Sequence, residues 1–164
     1  MAAPVRPRAG DLGNPAFWTA EVFDKFTDLY ASWSAYTPTW ATSLTTQPAI
    51  GNGSLAGRYK ALGKTVWFSL RFTAGSSTTF GDGLWSFSLP IPPTAVQSCP
   101  GVLIGPSSNR YPAACWLSTG AGVFRIIPYG GTGGVRTNSP NSGSIPFAWA
   151  SGHQIILGGV YESS

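Results

Sequence analysis

The chain has 164 residues and a formal net charge of +4, yet only 10% of its residues are charged while 13% are aromatic. That length suits one domain with a core of its own plus one appendage, and the aromatic content argues against a disordered polymer. Charge this sparse, against a usual ~25%, together with 21 glycines and 14 prolines, points to short strands and many turns whose polar face is Ser, Thr and Asn.

The charge is unevenly placed. Residues 1–33 hold Arg6, Arg8 and Lys25 against Asp11, Glu21, Asp24 and Asp28, net −1, which leaves +5 for the rest. Those later bases are scattered from Arg58 to Arg136, and only Arg58, Lys60 and Lys64 sit close together; nucleic-acid binders show a denser stripe. No apolar run approaches the ~20 residues of a membrane span, and no apolar stretch follows the two early arginines as an export signal requires. Membrane insertion is therefore not expected, and assembly in a cytoplasm is. Cys99 and Cys115, with His153 as the lone histidine, cannot make a zinc site from Cys and His alone. No cofactor or metal is expected; the two cysteines are either a disulfide or a pair of buried thiols.

In chain order, residues 1–13 read as an extended arm, because Pro4, Pro7, Gly10 and Gly13 oppose regular structure. Asn14–Trp33 is the one helical stretch: Asn14 can cap it, Pro15 suits the first position, and Glu21 and Asp24 favour its positive end. Val22, Phe26, Leu29 and Trp33 recur at +4, +3 and +4, a one-sided seam at coiled-coil spacing. At roughly five turns such a helix is not stable alone in water. It either packs on its own domain or bundles with copies of itself.

From Tyr36 onward the pattern changes to strands. "KTVWFSLRF" sends Val66, Phe68, Leu70 and Phe72 inward against Thr65, Trp67, Ser69 and Arg71. "LWSFSLPI" does the same with Trp85, Phe87, Leu89 and Ile91, and "PFAWA" places Phe147 and Trp149 on one face. "GVFRIIPY" is a strand ended by Pro128, and "HQIILGGVY" a closing strand whose Gly158–Gly159 suggests a bulge or a close backbone approach. "AGSSTTFGDG", "SCPGVLIGPSSNRYP" and "YGGTGGVRTNSPNSGS" read as turn-rich connections, and Asn52–Gly53 as a hairpin signal. The fold expected is all-β, an antiparallel β-sandwich of jelly-roll type over residues 34–164, behind an N-terminal arm and one short α-helix in residues 1–33.

Catalytic chemistry is poorly supplied. After residue 33 the only acids are Asp82 and Glu162, eighty residues apart, whereas a glycosidase needs two carboxylates flanking one bond. Asp82 sits in a GDG turn, ordinary turn chemistry, and His153 lacks a nucleophile elbow. "GNGSLAG" and "YGGTGGVR" lack the following GK[ST] or helix of a phosphate cradle. No enzymatic activity is expected. Binding is better supported. Trp67 lies in the polar phase of its strand, which fits an interface with another copy or a sugar platform; Tyr111, Trp116 and Tyr129 lie in or beside loops, where flat rings could cover a pyranose.

Four ordered blocks carry a resemblance: "YTPTW" (36–40), "IGNGSLAGRYKALGKTVWF" (50–68), "TTFGDGLWSFSLPIP" (78–92) and "PFAWASGHQIILGGVYE" (146–162). Together they resemble the β-domain of small minor tail or tail-fibre-like virion structural proteins of actinobacterial tailed phages, and residues 4–30 are similar to the attachment segment such proteins carry. Residues 97–144 are the least matched. The resemblance implies a virion protein, a homotrimer anchored to other virion proteins through residues 1–13, with helices bundled through Val22, Phe26, Leu29 and Trp33 and with Trp67 at the interface. Tyr111, Trp116 and Tyr129 could then meet host-surface polysaccharide. The long shaft of a typical fibre is missing, which leaves a tail-tip knob or a capsid decoration protein as alternatives. A glycan-degrading enzyme is a third alternative, opposed by the scarcity of acids.

Overall fold

A computed structural model describes residues 10, 14–18, 23–119, 123–128 and 146–163. Among the described residues, two short helices, α1 (Pro15–Trp18) and α2 (Asp24–Tyr30), precede nine strands. These are β1 (Ser34–Tyr36), β2 (Trp40–Thr42), β3 (Ser54–Leu62), β4 (Thr65–Thr73), β5 (Trp85–Ser88), β6 (Gln97–Ile104), β7 (Arg110–Leu117), β8 (Val123–Pro128) and β9 (Gln154–Glu162). The chain is all-β and every strand pairing is antiparallel, as the sequence led us to expect.

The strands form one sheet in the order β1-β3-β4-β9-β6-β7-β8-β5-β2. Its two edge strands are neighbours in sequence, joined only by Thr37, Pro38 and Thr39. Laid flat, nine strands would hold those edges roughly 38 Å apart at a spacing of ~4.8 Å, while the chain from Tyr36 to Trp40 reaches at most about 14 Å. The sheet must therefore roll over on itself, giving a sandwich-like fold with a single interior. Pro38 is buried at the seam, and the connection is held to β5 where Ser88 N donates to Thr39 O at 3.0 Å and Thr39 N donates to Ser88 Oγ at 2.8 Å.

The interior is filled by the inward phase of each strand. Val66, Phe68, Leu70 and Phe72 of β4, Trp85 and Phe87 of β5, Leu103 of β6, Cys115 and Leu117 of β7, and Ile155, Leu157 and Tyr161 of β9 are all buried. Trp40, on the edge strand β2, lies 4.8 Å from Phe72, 5.0 Å from Trp85 and 6.0 Å from Phe87 between ring centroids, so it bridges what would be distant strands of a flat sheet. The aromatic chain continues from Trp85 to Trp149 at 5.0 Å, to Phe147 at 4.7 Å and on to Tyr111 at 4.8 Å. Such offset and edge-on pairs add to the area each ring removes from water.

Four features bear on particular points of the sequence reading. First, the helix expected over 14–33 is described over α1 and α2, residues 19–22 lying outside the described set, and it ends at Tyr30 rather than Trp33. Asn14 does cap α1, its Oδ1 accepting from Ala16 N at 3.0 Å. Second, the β3–β4 hairpin turns at Gly63–Lys64, where Leu62 faces Thr65 and Gly63 takes φ of +59°. Asn52–Gly53 instead closes a turn ahead of β3, where Asn52 Oδ1 accepts from Ser77 N at 2.9 Å.

Third, of the two roles read for Gly158–Gly159, a bulge or a close backbone approach, the structure shows the second, since the β4–β9 register runs unbroken from Thr65↔Glu162 to Thr73↔Gln154. The glycines serve close approach, since a Cβ on Gly159 would stand 2.7 Å from Cys99 Sγ. Fourth, the stretch 98–112, read as turns, contains most of β6 and the start of β7, a hairpin in which Cys99 faces Cys115. A proline shapes β6: it pairs with β9 only over Gly101–Ile104, stopping at Pro100, which has no N–H to give. Beyond Pro100 side chains continue the link: Gln97 Nε2 donates to Glu162 O at 3.1 Å, and Glu162 N donates to Gln97 Oε1 at 2.9 Å.

Candidate functional site

Among the described residues, the end of the helical segment meets the head beside Lys60. Lys60, outward on β3, donates through Nζ to Leu29 O at 2.5 Å and to Ala31 O at 2.7 Å. A lysine there satisfies carbonyls that the end of α2 leaves open and places a cation at its negative pole. Beside it, Leu29, Trp33, Lys60, Leu62 and Trp67 line a cavity of about 260 Å³. Trp67 faces Lys60 directly across the hairpin, so the wrong-phase tryptophan is half-covered by its own helical segment. Lys60 was noted in the sequence only as one of three neighbouring bases, and Leu62 not at all. Reading the two-residue turn at Gly63–Lys64 would have paired Lys60 with Trp67 and exposed the cluster.

The seam residues are not consumed by this contact. Phe26, Leu29 and Trp33 remain exposed, as do Phe23 and Tyr30; Val22 lies outside the described residues. On the head, Trp116 (48% exposed) and Val160 (50%) also face outward. Trp116 and Tyr111 both lie within β7, not in loops. Tyr111 packs on Phe147 against the core, which leaves little of its ring for a sugar, whereas about half of Trp116 is open to solvent. Tyr129 lies outside the described residues, as does the arm apart from Gly10, so these three aromatics are not seen as one platform.

Several titratable groups of the head are occupied structurally. Asp82 Oδ1 accepts from Thr46 N at 3.0 Å and Asp82 N donates to Thr46 O at 3.1 Å, a two-way staple between loops. His153 Nδ1 accepts from Ala150 N at 3.0 Å, and its ring stands edge-on to Phe147 at 5.1 Å; burial lowers its pKa. The cysteines are free thiols, both buried. Cys115 Sγ donates to Cys99 O at 3.2 Å and Cys99 Sγ to Val160 O at 3.6 Å; the hydrogen bond with Cys99 and burial both push Cys115 up. Tyr161 donates to Ile91 O at 2.7 Å, and burial raises it to about 12. The Tyr36 hydroxyl and Trp40 Nε1 are buried without a partner among the described residues.

Among the described residues no group of three or more His, Cys, Asp or Glu could hold a metal, and no helix is long and apolar enough to cross a membrane. What the geometry offers is surface: exposed aromatics on the helical segment, a tryptophan groove at its junction with the head, and outward apolar side chains on the sheet. Comparison of the chain with protein-family models, with curated proteins and with solved structures finds no match in any of the three.

Proposed function

We propose that the chain is a structural subunit of a tailed-phage virion, a short tail-fibre or tail-tip protein that works as a homotrimer without enzymatic activity. The observation that carries this reading is the helical segment. Phe23, Phe26, Leu29, Tyr30 and Trp33 stand between 44% and 82% exposed within eleven consecutive residues, and a contiguous apolar patch of that kind marks an interaction surface. Seam spacing suits a bundle of identical helices, which would also give Trp33 and the Trp67 groove their remaining cover. Sequence blocks resembling phage tail β-domains support the virion assignment, and the rigid rolled head supports a role through shape.

In such a trimer residues 1–13 face other virion proteins, and three heads point outward together. Weak contacts to host-surface polysaccharide, with Trp116 as the best-placed ring, gain avidity when all three engage at once. Gold-labelled antibody against residues 34–164, applied to purified particles of the encoding phage, tests the assignment. Label clustered at the tail tip supports it. Label spread over the capsid replaces it with the decoration reading, and unlabelled particles contradict both.

A further inference from the structure

The outer face of β3 and β4 carries three cations: Lys60 opposite Trp67, Arg58 opposite Ser69, and Arg71 opposite Ala56. Lys60 is committed to the end of α2, and Arg71 donates through Nη2 to the Gln154 amide oxygen at 2.9 Å. Neither partner is an acid. Arg58 is paired with no acid among the described residues. Of the two acids on the head, Asp82 is held by Thr46, and Glu162 lies six residues along β9 from Ile156, ~20 Å at strand rise.

Arg58 and Arg71 are diagonal neighbours across the β3–β4 ladder, a relation that puts Cβ atoms about 7–8 Å apart, within reach of long side chains. Ser69 stands between them, and the three line a cavity of about 350 Å³ with Ala56, Gly57 and Ile156. That volume is at the small end of ligand sites, which run ~300–1,000 Å³. Two like charges with no counter-charge repel one another; a single bound anion turns that repulsion into two attractions. Guanidinium forks match the paired oxygens of phosphate or carboxylate in a way that lysines do not. A serine hydroxyl adds a third donor, while Ala56, Ile156 and the Gly57 backbone offer a wall suited to the carbon skeleton behind the anion.

We propose that Arg58, Ser69 and Arg71 form a binding site for the phosphate group of a phosphorylated sugar or polyol. The site lies apart from the Trp116 surface and does not depend on the oligomeric or virion assignment above. Free phosphate and a sugar-borne phosphate share the two-guanidinium contact, and only the second uses the apolar wall.

Calorimetric titration of the full-length chain with inorganic phosphate, glucose 6-phosphate and uncharged glucose tests this, alongside the arginine side-chain N–H resonances by NMR. Glucose 6-phosphate is expected to bind at millimolar concentration more tightly than inorganic phosphate, glucose to bind not at all, and the Arg58 and Arg71 resonances to shift together. Losing one charge-assisted hydrogen bond weakens binding by about tenfold or more, so R58Q and R71Q should each do so. S69A should weaken it less, and R110Q, on exposed Arg110 of β7, should leave it unchanged. All four positions are on the outer face, and unaltered melting temperatures would show that the variants fold. An equal loss in R110Q would reduce the effect to net charge and overturn the proposal. So would unshifted arginine resonances, or variants that alter self-association while phosphate binding persists, which would make the pair a protein contact.

Discussion

The head and the helical segment both carry many aromatic residues, the segment more densely, and use them in opposite ways. In the head, Trp40, Phe72, Trp85, Phe87 and Trp149 turn inward and stack on one another, within a sheet rolled tightly enough that its edges are three residues apart. In the segment, Phe23, Phe26 and Tyr30 face water, and a polar tie to the head runs through Lys60, which donates to two carbonyls. Stability thus resides in the head, whose strands meet each other's needs. The segment has too few residues to bury its own rings, so its free energy is recovered only against another surface. An aromatic count read from sequence does not separate these two fates; periodicity does.

The largest effect expected from breaking this contrast is in the core. Trp85→Ala should cost about 3–5 kcal/mol, the usual range for removing a fully buried large ring, whereas Phe26→Ala should leave the denaturation midpoint of a dilute sample nearly unchanged; urea titrations of the two variants read the difference. Equal losses would erase the distinction between head and segment. The two interior tyrosines sharpen it. Tyr161 has its acceptor in Ile91 and Tyr36 has none, so Tyr161→Phe should destabilise by about 1 kcal/mol and Tyr36→Phe should be neutral or stabilising by a similar amount.

Alkaline titration follows from the same pair. Burial holds both hydroxyls neutral above the ordinary value of 10.0. The unfolded chain then loses protons that the folded chain keeps, so stability is complete below pH 10 and falls as pH rises toward about 12. Melting curves in that range should show the decline, and it should be shallower in Tyr161→Phe.

A smaller effect is expected from His153. Its pKa is lowered by burial and Nδ1 accepts a hydrogen bond, so protonation favours the unfolded chain. Stability contributed by the neutral ring is present above the unfolded value of 6.5 and is lost as pH falls through the folded value. A His153→Asn variant, whose amide oxygen can still accept from Ala150, should flatten the melting temperature between pH 7 and pH 5. Finally, both thiols should resist alkylation by iodoacetamide in the native state and react on unfolding, because both are buried and Cys115 is held protonated.

Legibility in the sequence followed the phase of the apolar residues. β4 and β5 were readable because polar or small residues alternate with Val66, Phe68, Leu70, Phe72 and with Trp85 and Phe87, and β9 because its aliphatic run sits between a turn and paired glycines. β6 and β7 were not readable: Pro100, Val102 and Ile104 on the outer phase match the apolarity of Cys99 and Leu103 on the inner one, so alternation vanishes, and the prolines imitate loop chemistry. The edge strands β1 and β2 are three residues each, too short to show any period. For the candidate surface, Trp67 was found because it stood in the wrong phase, but its pairing with Lys60 depends on where the hairpin turns, and its meeting with the seam residues Leu29 and Trp33 on where the helical segment docks. Arg58 and Arg71 look scattered along the chain and become diagonal neighbours only through the β3–β4 register.

The most direct test of the central claim is equilibrium sedimentation of the full-length chain beside a form lacking residues 1–33, at micromolar concentration. The account predicts a full-length mass of three times the 17.2 kDa chain and a shortened form that stays folded, with the trimer weakened or lost. A full-length chain that sediments as a stable 17.2 kDa monomer, with Phe26, Leu29 and Trp33 left in water, would contradict it.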